Sequence, residues 1–362
     1  MDNAAIQNIC QAFQIQGNFS LVEVIQSGYI NTTYKITTST SSYILQKVNH
    51  QIFKDIEGLS SNIVRITKHL QSKTSPEKQH QALQVVFTHN EQAYYKHKDH
   101  TFWRMFNFIP NAITFETIQN EWQAETMGKA FANYHEQLSD LPQPPLIETL
   151  PDFHNTSLRI KHFKTAIQNN SHGRNKDTQK EIDYLLKLAP EMHAVVELGK
   201  QHKIPLRTIH QDAKLSNILF DNTNQAIAII DLDTTMPGYL CYDFGDAVRT
   251  GMNTATEDEQ NLDKISLHLE HFKAFTKGYA ANSHHFITKE EINTLVLGVK
   301  VITYEQAIRF LTDYLQGDTY YKTSYSKHNL IRTRVQIAFL KNIIKYYDVL
   351  TNYVMEQYTV FS

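Results

Sequence analysis

The residues with the clearest capacity for chemistry lie between Leu206 and Asp233. A short apolar run, Leu206 to Ile209, delivers His210-Gln211-Asp212-Ala213-Lys214-Leu215-Ser216-Asn217. A strand pair follows, Ile218-Leu219-Phe220 and Ala226 to Ile230, joined by the polar turn Asp221-Asn222-Thr223-Asn224 and ending at Asp231-Leu232-Asp233. Phosphoryl transfer needs a carboxylate that orients the attacking hydroxyl and takes its proton, and Asp212 stands where that base belongs. It also needs hard oxygen donors that hold Mg2+ against a triphosphate, which Asn217 and Asp231 supply. The order His-x-Asp, then Asn, then Asp at a strand end is the order this chemistry uses. A lone His-x-Asp would do no more than cap a turn; the combination carries the reading. His210 is expected to brace the loop, and Lys214 to offset charge on the transferred phosphate.

Elements that could position these groups are legible on both sides. Leu21 to Ile25, Thr33 to Thr37 and Tyr43 to Val48 read as a three-stranded meander, broken at Gln26-Ser27-Gly28 and at Ser39 to Ser42. Ile56, Leu59, Ile63, Ile66 and Leu70 keep to one face of a helix. Two more strands, Ala82 to Thr88 and Thr101 to Phe108, flank the polar turn Lys96 to His100. Pro110-Asn111 marks a boundary, beyond which the pattern turns mainly helical. Met127, Phe131, Tyr134 and Leu138 share a face, residues 141–151 form a Pro-rich linker, and one helix is expected from about Lys180 to Lys203. The expected fold is α+β and bilobal. Residues 1–109 make a small antiparallel-sheet lobe with one helix, and residues 110–362 a larger, mainly helical lobe.

Composition narrows the function classes. A formal net charge of −2 leaves no excess of Lys and Arg for a nucleic-acid backbone. Cys10 and Cys241 are too far apart in sequence to suggest a disulfide framework or structural zinc. The start, Met1-Asp2-Asn3-Ala4, lacks the basic and apolar pattern of a signal peptide, and no stretch approaches the roughly 20 apolar residues of a membrane span. A cytoplasmic monomer or weak homodimer is expected.

The run His210 to Asn217 with Ile230-Asp231-Leu232-Asp233 resembles the aminoglycoside phosphotransferase and choline kinase superfamily. The longer stretches Asp231 to Gly238 and Tyr242-Asp243-Phe244-Gly245-Asp246 are similar to the N-acetylhexosamine 1-kinase branch. So are Tyr43 to Asn49, Trp103-Arg104-Met105, and Arg309 to Leu315. The resemblance spans nearly the whole chain. It implies a protein-kinase-like fold, ATP with Mg2+, and phosphorylation of the anomeric hydroxyl of GlcNAc or GalNAc. By the same resemblance Asp233 would touch a second metal or only metal-bound water, and Asp243 would brace the catalytic loop. Arg309 and Tyr320 would contact the sugar, and Tyr29 stands where a sugar-contacting His is expected.

The nucleotide site follows from position. The loop Gln26 to Thr33 should cover the phosphates, using Gly28, Asn31, Thr32 and Thr33, although it carries one Gly rather than three. Lys47 should reach the phosphates, with Gln46 as the rival if the strand register differs by one, and Glu57 should be its acidic partner. Arg104, Met105 and Phe106 should form the hinge for adenine. His97, Asp99 and His100 read as a solvated turn rather than a metal site.

For the acceptor, residues 301–362 hold five Asp or Glu against seven Lys or Arg and nine Tyr. That balance suits stacking on a neutral sugar better than binding a polycationic aminoglycoside. The alternatives are another alcohol acceptor of aminoglycoside, choline or homoserine type, or a nucleotide-binding protein without catalysis. The joint presence of Asp212, Asn217 and Asp231 argues against the last.

Overall fold

The alternation in the first hundred residues becomes a six-stranded antiparallel sheet. This computed structural model describes residues 3–25 and 30–361. In chain order the first elements are α1 (Asn3–Cys10), β1 (Phe19–Ile25), β2 (Thr32–Thr38), β3 (Ser42–Val48), α2 (Ile56–Lys73), β4 (Val85–Val86), β5 (Tyr95–Lys96) and β6 (Phe102–Asn107). Then come α3 (Glu121–Leu138), α4 (Thr156–Asn169), α5 (Gln179–Leu188), α6 (Ala194–Lys200), β7 (Arg207–Ile209), β8 (Ile218–Phe220), β9 (Ala226–Ile229) and β10 (Met236–Gly238). The chain closes with α7 (Leu240–Gly251), α8 (Leu269–Ser283), α9 (Lys289–Leu315) and α10 (His328–Thr359).

Two compact units divide the chain. The first gathers Met1–Ile113, Gln137–Pro151 and Leu219–Met236; the second gathers Thr114–Glu136, Asp152–Ile218 and Pro237–Ser362. The boundary expected after residue 109 thus falls near the end of the first unit's longest segment, and two later segments also belong to that unit.

In the first unit the sheet runs β1-β2-β3-β6-β4, with β5 also on β6. Period-two alternation sends Tyr34, Ile36, Tyr43, Leu45, Trp103 and Met105 to one face, where Ile6, Ile9 and Cys10 of α1 and the following Phe13 cover them. Burying each such side chain contributes about 1.5–3 kcal/mol. The other face carries Thr33, Gln46, Arg104 and Phe106, and Ser60 and Ile63 of α2 line a small pocket with the last two. The Asp55 side chain caps α2 by accepting from the Gly58 N–H at 2.8 Å. The meander and α2 agree with the sequence reading. Helix α1 was not anticipated, because its apolar residues span barely two turns.

In the second unit α7 lies against α9 at close range. A Cβ on Gly298 would stand 1.9 Å from the Cys241 carbonyl oxygen, and one on Gly245 would stand 2.5 Å from that of Gly298. Only glycine lets the two backbones meet there. The Thr288 and Glu291 capping box starts α9, and Glu291 also holds Arg207 of β7 at 2.6 Å. The single helix expected near 180–203 is instead α5, a 3-10 turn at Ala189–His193, and α6. Pro190 removes a backbone donor where a continuous helix needs one. No helix among the described residues is long and apolar enough to cross a membrane.

Candidate active site

Strand β7 ends at the loop that carries the base. Gln211 takes the left-handed conformation at φ 63°, which turns the chain sharply just before Asp212. The buried Asp243 carboxylate of α7 accepts the backbone N–H groups of His210 and Gln211, each at 2.7 Å, and pairs with His135 at 2.7 Å. Burial pushes the Asp243 pKa up, but the His135 hydrogen bond and charge, with His210, bring it below the ordinary value. Asp243 therefore braces the loop from behind. The His210 ring packs edge-on against Phe131 and Tyr134 of α3, and its Nδ1 accepts the Asp212 N–H at 3.3 Å. His210 is wholly buried among these rings.

Asp212, half-buried, receives Lys214 Nζ at 2.8 Å and Asn217 Nδ2 at 3.1 Å, both on Oδ2. Asn217 Nδ2 also donates to the Asp212 carbonyl at 2.9 Å. Both of these donors fall on the same carboxylate oxygen. Burial raises the Asp212 pKa, yet Lys214, His210 and Asn217 outweigh it and the net shift is downward. Lys214 thus forms an ion pair with Asp212. Asn217 commits its amide nitrogen to Asp212, and its amide oxygen is of the hard type that Mg2+ prefers.

Asp231 and Asp233 belong to the first unit. Asp231 sits in the left-handed region, φ 60° and ψ 53°, a conformation that costs about 1–2 kcal/mol for a non-glycine residue. Such strain concentrates at functional positions. Asp233 does not fit the expected role of a metal or metal-water contact. Its two oxygens face Arg104 in a fork, Nη2 to Oδ2 at 3.0 Å, and Oδ2 also accepts Asn31 Nδ2 at 2.7 Å. Both side chains of that pair are 4% exposed.

The other residues expected at the nucleotide site stand as follows. Lys47 pairs in register with Trp103, places its Nζ 6.0 Å from that ring, and shares the face covered by α1. Gln46 holds the opposite face, so the alternative register is the observed one. Glu57 is exposed on the first turn of α2 and forms no ion pair among the described residues. Met105 and Phe106 pair with β3 on one side and with β4 on the other. Asn31 Nδ2 donates to Asp233 at 2.7 Å, and its Oδ1 accepts the Asn49 N–H at 3.0 Å. Thr32 is exposed at the start of β2, and Thr33 accepts from Gln46 at 3.2 Å. Gly28 and Tyr29 lie outside the described residues. His97 and Asp99 pair at 2.8 Å in the exposed turn leading into β6, as the solvated reading expects.

On the second unit, α9 brings Arg309 against the rings of Phe153, 5.3 Å away, and Tyr321, 5.8 Å away. Burial opposes its charge, but Tyr321 and Glu305 keep its pKa above the ordinary value, with a hydrogen bond to Tyr320. Tyr320 is 60% exposed on the loop after Gly317. Sequence reasoning missed His154, which joins this cluster to the base: Nδ1 meets Glu305 at 2.9 Å and Nε2 meets the Gln211 carbonyl at 3.3 Å. Phe153 and His154 follow the Pro-rich linker and carry no periodic signal.

A model of the phosphotransferase enzyme family matches residues 22–272. Among solved structures, a microcompartment-associated aminopropanol kinase is similar at 15% identity and TM-score 0.61, covering 97% of this chain and 99% of that one. An aminoglycoside phosphotransferase from Alicyclobacillus acidocaldarius subsp. acidocaldarius DSM 446 matches at 12% identity and TM-score 0.60, covering 97% and 96%. Spectinomycin phosphotransferase, in complex with ADP and its antibiotic, matches at 14% identity and TM-score 0.55, covering 93% and 98%. The shared architecture is the protein-kinase-like α+β fold, with an antiparallel-sheet lobe and a larger helical lobe.

Proposed function

This chain belongs to the phosphotransferase enzyme family, and from that premise we propose that its acceptor is the anomeric hydroxyl of an N-acetylhexosamine. It is a small-molecule kinase with an alcohol group as acceptor, and it uses ATP with Mg2+ as this family does. In the proposed reaction Asp212 orients the sugar hydroxyl through Oδ1 and takes its proton as the O–P bond forms. Lys214 keeps that carboxylate ionised. Asn217 and Asp231 are the proposed Mg2+ ligands, and the metal offsets charge on the phosphates.

The observation that carries the acceptor class is the pair of guanidiniums on the second unit. Arg159 Nη2 donates to the Phe153 carbonyl at 2.9 Å, and Arg309 lies over the ring of the same residue at 5.3 Å. Two cations beside Phe153 and Tyr321 repel a polycationic aminoglycoside or a quaternary amine. They suit a neutral sugar instead, with donors for its oxygens and rings for its apolar face. Glu305 offsets one of the two charges. A panel of GlcNAc, GalNAc, hexoses, aminoglycosides, choline and homoserine, followed by ADP release, tests this. ADP formation confined to amino-alcohols or aminoglycosides would remove the sugar reading while leaving the kinase intact.

A further inference from the structure

The first unit lacks a cation where this chemistry usually places one. A lysine on the third strand normally pairs with a helix glutamate and reaches the phosphates. Here that strand position holds Gln46, Lys47 faces the α1 side, and Glu57 is exposed. The buried cation is Arg104, directly opposite Gln46 on β6.

Every nitrogen of Arg104 has a partner. Nη1 and Nη2 hold the two oxygens of Asp233, and Nε donates to Gln46 Oε1 at 2.9 Å. The Gln46 amide passes on to Thr33 at 3.2 Å. Asp233 Oδ2 also receives Asn31, whose own oxygen receives the Asn49 N–H. One buried carboxylate therefore ties β6, the start of β2 and the end of β3 to the turn that carries Asp231. That turn is strained at φ 60°, and such a conformation persists only where its surroundings hold it. A lysine at position 46 would compete with Arg104 for Asp233, which accounts for the glutamine.

We propose that Arg104 is a positioning residue for phosphoryl transfer: through Asp233 it holds the Asp231 turn in its metal-binding form, so that the cation has moved from β3 to β6. The proposal rests on the phosphotransferase reading and is independent of which alcohol is phosphorylated. Its test is ADP binding by calorimetry, with Mg2+ and with EDTA, in wild type, R104Q, R104K and Q46K/R104Q. Thermal melting followed by circular dichroism checks the fold of each.

R104Q is expected to weaken Mg2+-dependent ADP binding about tenfold or more, as lost outer-shell support of metal ligands does, while metal-free binding stays nearly unchanged. Q46K/R104Q returns a cation to the register neighbour and should recover much of the loss. R104K keeps the charge without the fork and should fall between. Should R104Q not fold, R104K and the swap carry the same comparison. Equal weakening with and without Mg2+, no weakening at all, or a folded swap that recovers nothing overturns the proposal. A wild type that binds no ADP overturns the phosphotransferase reading and this proposal together; normal wild-type binding with an unaffected R104Q overturns the proposal alone.

Discussion

Asp313 stands one turn beyond Arg309 on α9, and its carboxylate gathers the backbone N–H groups of Thr319, Tyr320 and Tyr321 at 2.8, 2.8 and 2.9 Å. Asn329 of α10 adds a fourth donor at 2.9 Å. Asp313 thus fixes the loop that carries Tyr320 and Tyr321, the latter beside Arg309 in the proposed acceptor site. Asp313→Ala should leave those donors unpaired at a cost of about 1–3 kcal/mol. The expected result is a raised acceptor KM with ATP KM little changed, read by steady-state kinetics alongside a denaturant melt.

Arg309→Ala should act on the acceptor directly. Losing a buried guanidinium that binds substrate oxygens is expected to lower kcat/KM for the sugar about 10- to 100-fold, with nucleotide affinity unaltered. A variant whose ADP affinity falls in parallel would place Arg309 outside the acceptor site.

The acid limb of the pH profile reports on the base. Asp212 has a folded pKa below the ordinary carboxylate value, so it stays ionised, and activity owed to it persists, until pH falls below that value. Lys214 is the largest of the opposing influences, and burial, which raises the pKa, remains when it is gone. Lys214→Met should therefore move the acid limb of kcat/KM to higher pH. An unchanged limb would show that the limb belongs to another group.

Asp243 makes a corresponding prediction for stability. Its folded pKa is depressed, so its contribution is present above the unfolded carboxylate value and is lost as pH falls through the folded one. Asp243→Asn should flatten that acid-side fall in unfolding free energy and cost about 3–5 kcal/mol at neutral pH, because the His135 pair is buried. Urea titrations at several pH values measure both effects.

What the sequence revealed follows from how local each signal is. The order His210, Asp212, Asn217 survives folding because one short loop carries all three, and α2 was readable from five apolar residues on one face. The choice between Gln46 and Lys47 stayed open because the face a strand residue takes depends on register, which neighbouring strands set rather than the strand's own sequence. Phe153 and His154 act only through α9 and the catalytic loop, both far away in sequence. The Asp313 cradle likewise depends on a loop turning back at Gly317, where φ is 95°. None of these partnerships leaves a period or a motif.

In the proposed reaction Asp212 serves transfer of the ATP γ-phosphoryl group to an anomeric sugar hydroxyl. Phosphorus NMR of the product formed from ATP, Mg2+ and GlcNAc or GalNAc tests it most directly, run with wild type and Asp212→Asn. The expected product is a sugar phosphate whose phosphorus couples to the anomeric proton, formed about 10²- to 10⁴-fold more slowly by Asp212→Asn despite retained ADP binding. A phosphate on any other hydroxyl, or an Asp212→Asn enzyme of undiminished rate, would contradict it.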